Sequence, residues 1–430
     1  VIRILSAGEP DVERVIKKEY AQEKVYEERV REILDNVRSR GNAAVLEYTA
    51  RFDGAELTAD TLRVSTEEIE TAYGRVDDEF VRAIRKARDS IADFHRKQLH
   101  NSWLEPDADG TILGQLVRPM ERVGIYVPGG TAIYPSSVLM NAVPAKVAGV
   151  AEIVMVAPPN KGCCIEAATL VAAHEAGVTE IYKVGGAQAV AALAYGTETI
   201  RKVDLISGPG NIYVTLAKKF VYGQVNIDML AGPSEILVIA DESADPVYVA
   251  ADLLSQAEHD VLASAILVTP SRNLAEKVQA EVTRQVGYLS RKEIMTASLR
   301  DYSAVIVTAD LDEAIELANR YAPEHLELAV TDPFGILGKI KNAGAIFMGH
   351  FTPEPVGDYI AGPNHVLPTG GTARFYSPLN VDTFMKKSSV IAYSPARLRE
   401  HGRDIIKLAE TEGLDAHANA VRVRLAEVQP

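Results

Sequence analysis

Between residues 11 and 100, apolar positions recur every three or four residues among charged ones. Examples are Glu28-Arg-Val-Arg-Glu-Ile-Leu-Asp-Asn-Val-Arg38 and Asp78-Glu-Phe-Val-Arg-Ala-Ile-Arg-Lys-Ala-Arg88. That period predicts a helical front end. From Val123 the pattern changes to short β-branched runs that end in glycine or proline and lead into Ala-rich helical segments, the signature of repeated βα units and a parallel sheet. The runs are Val123–Val127, Glu152–Ala157, Ile181–Val184 and Val203–Ser207, then Ile236–Ala240, Ser264–Val268, Ala304–Thr308, Leu326–Val330 and Ala345–Met348. Together they predict an α/β protein with two Rossmann-like lobes, each on a parallel sheet. The turn Ala231-Gly-Pro-Ser234 marks a joint between the two sets. The expected division is residues 1–124 with 232–375 as lobe one, 125–231 as lobe two, and 376–430 as a charged helical tail able to reach a partner subunit. The first 120 residues are grouped with lobe one, although periodicity alone does not place them.

At 430 residues, 47% hydrophobic and 24% charged, the chain has ample material for more than one core and none of the signature of extensive disorder. Its formal charge of −14, with Lys and Arg spread out and not in blocks, argues against nucleic acid as a partner. No run approaches the roughly 20 apolar residues of a membrane span, and the N-terminal segment lacks the features of a secretory signal. A cytoplasmic location and no membrane partner are expected. Two adjacent cysteines, Cys163-Cys164, are poorly placed for an unstrained disulfide, and packing is a better account of them than nucleophilic chemistry.

The chemistry gathers late in the chain. Gln256 and His259, in Leu253-Leu-Ser-Gln-Ala-Glu-His-Asp260, stand i,i+3 at the end of a predicted helix, where side chains lie about 5–6 Å apart on one face. With Asp358 and His417 they make a thiolate-free set of imidazole, carboxylate and amide oxygen suited to a borderline ion such as zinc with open positions. Glu324-His325, at the mouth of the strand run from Leu326, is an acid/base doublet. Adjacent residues on an extended chain face opposite sides, so the two are expected to address different atoms unless the backbone turns there. His365 sits in a polar, glycine-punctuated loop that reads as a site element. Three glycine turns, Pro128-Gly-Gly130, Gly185-Gly-Ala-Gln188 and Gly208-Pro-Gly-Asn211, follow predicted strands, where a backbone can approach a phosphate or ribose closely. None completes a Gly-x-Gly-x-x-Gly fingerprint, but three in one lobe suggest a ligand crevice at the strand carboxyl ends.

Glu121-Arg-Val-Gly-Ile-Tyr-Val-Pro-Gly-Gly130, Lys183-Val-Gly-Gly-Ala-Gln188, Ser207-Gly-Pro-Gly-Asn-Ile-Tyr213, Ser255-Gln-Ala-Glu-His-Asp260, Ala322-Pro-Glu-His-Leu326 and Glu412-Gly-Leu-Asp-Ala-His417 closely resemble the histidinol dehydrogenase family. The resemblance implies oxidation of L-histidinol through the aldehyde to L-histidine with two NAD+, and one Zn2+ per subunit held by Gln256, His259, Asp358 and His417. It further implies a homodimer with shared active sites, in which His417 comes from the other subunit. Substrate contacts would come from Ser234, His365, Glu412, His325 and the metal ligands. NAD contacts would come from Tyr126, Gln188 and Asn211. Catalysis would fall to His325 as general base and to Glu324 activating water. The alternatives are an NAD-dependent zinc dehydrogenase of another small alcohol, a zinc hydrolase that needs no NAD, and a non-catalytic binding protein.

Overall fold

The computed structural model describes residues 2–17, 23–129 and 133–427. Contacts divide the chain into two units, one running to Gln98 and including Met120–Phe384, the other combining Leu99–Pro119 with the segment from Met385 onward.

The larger unit holds both expected parallel sheets. The first has the strand order Arg3–Ser6, Ala304–Val307, Ser264–Thr269, Glu235–Ala240, His325–Ala329, Ala345–Met348. The second runs Glu180–Lys183, Glu152–Ala157, Arg122–Tyr126, Leu205–Ser207, Asn226–Ile227. Every neighbouring pair in both is parallel. Strands such as Glu235–Ala240 and Ser264–Thr269 are buried along their whole length. Helices cover both faces of such a sheet, so its central strands are continuous apolar runs and not alternating ones. The short edge strands Arg3–Ser6 and Asn226–Ile227 are additions to the expected set. Helices Glu23–Arg40 and Asn42–Asp53 bury Val30, Ile33, Leu34, Val37, Val45 and Tyr48 in one core with Val190 and Leu193 of the second-sheet lobe.

That lobe contains a buried ion pair with a positional task. Gly208 adopts φ +113, and a Cβ there would stand 2.1 Å from the Tyr126 carbonyl oxygen, so only glycine fits. The buried Lys218 ammonium donates to the Gly208 carbonyl (3.0 Å) and pairs with Asp228, while Asp228 Oδ2 accepts the Gly208 N–H (2.8 Å). The turn before Asn211 is thereby held at both its donor and its acceptor. Lys218→Ala strands a buried carboxylate and is expected to cost ~3–5 kcal/mol, read as a lower denaturant midpoint. A midpoint within error of the parent would show that the pair holds nothing.

The smaller unit is built on an antiparallel sheet in the order Met385–Ala392, Ile112–Pro119, Trp103–Pro106, followed by helices Pro395–Thr411 and Asp415–Glu427. The helices were expected from the charged tail, whereas the sheet was not. Among the described residues no helix is long and apolar enough to cross a membrane.

Candidate active site

Seven of the site residues expected from sequence collect at the amino ends of strands Glu235–Ala240 and His325–Ala329 in the larger unit. Helix Pro246–Ala257 brings Gln256 in its last turn, and His259 follows just beyond its end, its N–H donating to the Gln256 carbonyl (3.1 Å). Helix Glu354–Tyr359 brings Asp358 and, one turn earlier, Glu354. One ligand atom each from His259, Glu354 and Asp358 can be chosen so that all three lie within 4.8 Å of one another. Gln256 is fully buried, and with its amide turned so that the nitrogen faces acceptors, that nitrogen donates to both Glu354 oxygens (2.8 and 3.0 Å) and lies 3.3 Å from His325 Nδ1. Ser255 Oγ adds a third bond to the same carboxylate (3.1 Å). The sequence reading missed Glu354. Its only advance signal was the i,i+4 spacing to Asp358, obscured by the flanking prolines.

His325 opens its strand, and its Nδ1 lies 3.0 Å from the Glu235 carbonyl. A carbonyl only accepts, so the closer Glu235 contact calls for the proton on Nδ1, ahead of the Gln256 amide nitrogen at 3.3 Å, and leaves the lone pair on Nε2. That Nε2 is buried without a hydrogen-bond partner among the described residues, 3.7 Å from Glu354 Oε1 and 3.9 Å from Asp358 Oδ1. Burial also lowers the His325 pKa, against the opposing charge of Asp358, so the ring is held in its neutral form, with a nitrogen free to take a proton. Glu324 stands on the other side of the ring. Its Oε2 accepts the Glu235 N–H (2.8 Å) and lies 3.6 Å from His325 Nδ1. The two side chains therefore converge, contrary to what a continuous strand would give. The chain turns through Ala322 at φ +51, and the strand begins only at His325.

Burial dominates the electrostatics of this cluster. It raises Glu324 well above the usual carboxyl range, although the Glu235 N–H works against it. It lifts Glu354 to about 8, and Asp358 to about 7 with help from the Glu354 charge. His365 is lowered to about 4, again chiefly by burial. Its Nδ1 faces the Asp358 carbonyl (3.1 Å), and its Nε2 faces Ser137 Oγ (3.5 Å). Next to it, Asn364 donates to the Met140 carbonyl (2.6 Å), so the loop is docked on helix Pro135–Ala148 of the second-sheet lobe. Ser234, half-buried, immediately precedes Glu235. Glu412 and His417 lie in the smaller unit, both exposed.

Tyr126, Gln188 and Asn211 share a second site, a pocket of about 1230 Å3 at the carboxyl ends of the second sheet. Tyr126 Oη accepts the Gly186 N–H (3.0 Å) at the start of helix Gly186–Tyr195. Gly186 has φ +64, and a Cβ there would reach 2.7 Å from Gln188 Oε1. Gln188 is only 1% exposed, and both polar atoms of its amide are buried without a hydrogen-bond partner among the described residues. A stranded amide beside a helix N-terminus fits a polar ligand with anionic and hydroxyl groups. Asn211 Oδ1 is taken by the cap of helix Ile212–Val221, where it accepts from Tyr213 and Val214 N–H. Gly130, the last residue of the first glycine turn, lies outside the described residues. Cys163 and Cys164 are free thiols facing backbone carbonyls, and the helix they precede starts only at Ala167.

A family model described as histidinol dehydrogenase matches residues 16–425. Histidinol dehydrogenase from Heliobacterium mobile is 63% identical over 425 residues, covering 99% of this chain and 100% of its own. That from Moorella thermoacetica is 61% identical, covering 92% and 93% respectively. The crystal structure of histidinol dehydrogenase from Elizabethkingia anophelis superposes with a TM-score of 0.94 at 40% identity, over 99% of this chain and 98% of that one.

Proposed function

The chain belongs to the histidinol dehydrogenase family and is accordingly an oxidoreductase of histidine biosynthesis, and we propose that it takes L-histidinol through the aldehyde to L-histidine with two NAD+ and one Zn2+ per subunit. The observation that carries this reading is the His325 ring, its Nδ1–H tied to a backbone carbonyl and its unpartnered Nε2 turned toward the carboxylates of the donor cluster. Zinc would be held by Gln256, His259 and Asp358, with His417 supplied by the partner subunit of a homodimer. When bound, the ion would supply a fixed template for the substrate's amine and imidazole and polarisation of its carbinol oxygen. Tyr126, Gln188 and Asn211 would hold NAD+, which would supply the hydride acceptor. Glu354 orients Gln256 by taking both hydrogen bonds from its amide nitrogen, which turns the amide oxygen away from Glu354 and leaves it free to coordinate.

In the first oxidation, His325 Nε2 takes the hydroxyl proton as hydride leaves the carbinol carbon. The aldehyde so formed has to gain a hydroxyl before it can lose a second hydride. Glu324, on the Nδ1 side of the ring, would take a proton from the attacking water. Ser234, His365 and Glu412 would hold the amino-bearing end of the substrate. Division of labour between lobes follows: the first-sheet lobe carries metal and proton chemistry, and the second-sheet lobe carries the cofactor. The reading predicts two NADH formed per L-histidinol consumed, with turnover lost on chelation and restored by zinc. One NADH per substrate would point to another alcohol as the natural substrate.

A pH dependence of metal binding follows from the same cluster. With Glu354 raised to about 8 and Asp358 to about 7, the metal-free site holds protons at neutral pH that a cation must displace. Zinc affinity is therefore expected to rise with pH between about 6 and 8, with net proton release. Isothermal titration in buffers of differing ionisation enthalpy reads that release directly. Affinity independent of pH across this window would place the ion elsewhere.

A further inference from the structure

Asp53 ends helix Asn42–Asp53 and is followed by Gly54 in the left-handed conformation at φ +67. An acidic side chain at this end faces the negative pole of the helix, an unfavourable position. Its Oδ2 is buried and makes no hydrogen bond among the described residues. The nearby Arg51 offers no relief, because its guanidinium lies over the Phe52 ring, 5.4 Å from the centroid. Burial has already raised the Asp53 carboxyl to about 6, and burial, with the Asp53 charge as a lesser contribution, pushes the Tyr126 hydroxyl up to about 12. An acceptor stranded in this way needs a donor from outside the chain.

Asp53 and the orphaned Gln188 amide line the same pocket. Its lining contains none of Gln256, His259, Glu324, His325 or Asp358, so the part of a dinucleotide seated deep within it is the half that does not react. That half is an adenosine, whose ribose presents two vicinal hydroxyl donors. Arg29, Arg51 and Lys161, on the same walls, offer counter-charge to the diphosphate. We infer that the Asp53 carboxylate receives the adenosine ribose hydroxyls and so selects NAD+ over its 2′-phosphorylated counterpart. The inference rests on the cofactor reading above. A 2′-phosphate would remove the donor that Asp53 requires and would bring a charge of about −1.5 to −2 against a carboxylate.

The test is equilibrium binding to the full-length zinc-loaded enzyme, by titration calorimetry, with NAD+, NADP+ and NAD+ lacking the adenosine 2′-hydroxyl. The parent protein is expected to bind NAD+ at least about tenfold more tightly than either of the other two, the worth of a hydrogen bond to a charged group. Asp53→Asn is expected to weaken NAD+ about tenfold, to narrow the preference over NADP+ by at least tenfold, and to remove most of the penalty for the missing hydroxyl. Glu32→Gln, in the same pocket, should leave the preference unchanged. Parent protein that fails to bind NAD+ would overturn the cofactor reading itself. NAD+ binding with the same preference in Asp53→Asn as in the parent would overturn the role of Asp53 alone. Should the variant fail to fold, the parent decides: equal affinity for NAD+ and its 2′-deoxy form removes the inference.

Discussion

His325→Asn should lower the rates of both alcohol and aldehyde oxidation by about 10²–10⁴-fold, the usual worth of a positioned general base. Asparagine keeps a polar group near the Glu235 carbonyl but provides no basic nitrogen at the position of Nε2, the atom 3.7 and 3.9 Å from the Glu354 and Asp358 carboxylates. Zinc content should stay near that of the parent, because the ring is beside the donor cluster and is not one of the proposed ligands. Glu324→Gln should separate the two steps. The glutamine carbonyl can still accept the Glu235 N–H that Glu324 Oε2 takes at 2.8 Å, so the backbone stays in place while the proton acceptor for water is gone. Alcohol oxidation is expected to survive within about tenfold, with aldehyde oxidation reduced by about 10²-fold or more. Rapid-quench assays started separately from histidinol and from its aldehyde measure each step. Equal losses in both would refute the division of labour between the two side chains.

Removal of a metal ligand should be as damaging. His259→Ala and Asp358→Asn each take one donor from a site with few to spare, and the purified proteins are expected to lose zinc and all but a trace of turnover. Asp358→Asn is the more informative, since it keeps the volume of a buried side chain while removing the charge. His417→Ala should lose zinc to the same degree, although His417 lies in the smaller unit on helix Asp415–Glu427. If that ligand crosses between subunits, mixing the His259→Ala and His417→Ala proteins creates dimers in which one site has both mutations and the other has neither. Random reassortment then returns about a quarter of the parent zinc and activity. A confirmed mixed dimer with no recovery would place His417 outside the site.

Much of the fold was legible because parallel strands covered on both faces are continuous apolar runs, and each of the nine expected runs is a strand within a residue or two. The unexpected strands lack that signal. Arg3–Ser6 is four residues long, and Met385–Ala392 carries Lys386, Lys387, Ser388 and Ser389 on a largely exposed ladder. Gln256 and His259 could be paired by helical spacing, and Glu324-His325 by its position before a strand. Glu354 escaped because its partners Gln256 and Ser255 come from a helix about a hundred residues earlier. The Glu235 contribution is carried by backbone atoms, which sequence patterns do not reveal. Asp53 belongs to no motif singled out in the sequence, and only three-dimensional burial shows its Oδ2 stranded.

The most direct test is an anomalous-difference map at the zinc edge from crystals of the zinc-loaded enzyme soaked with L-histidinol. The account predicts one peak per subunit, bonded to His259 and Asp358 at about 2.0–2.2 Å, with the substrate's carbinol oxygen within hydrogen-bond reach of His325 Nε2. A peak bound by other residues, or a carbinol turned away from His325, would contradict it.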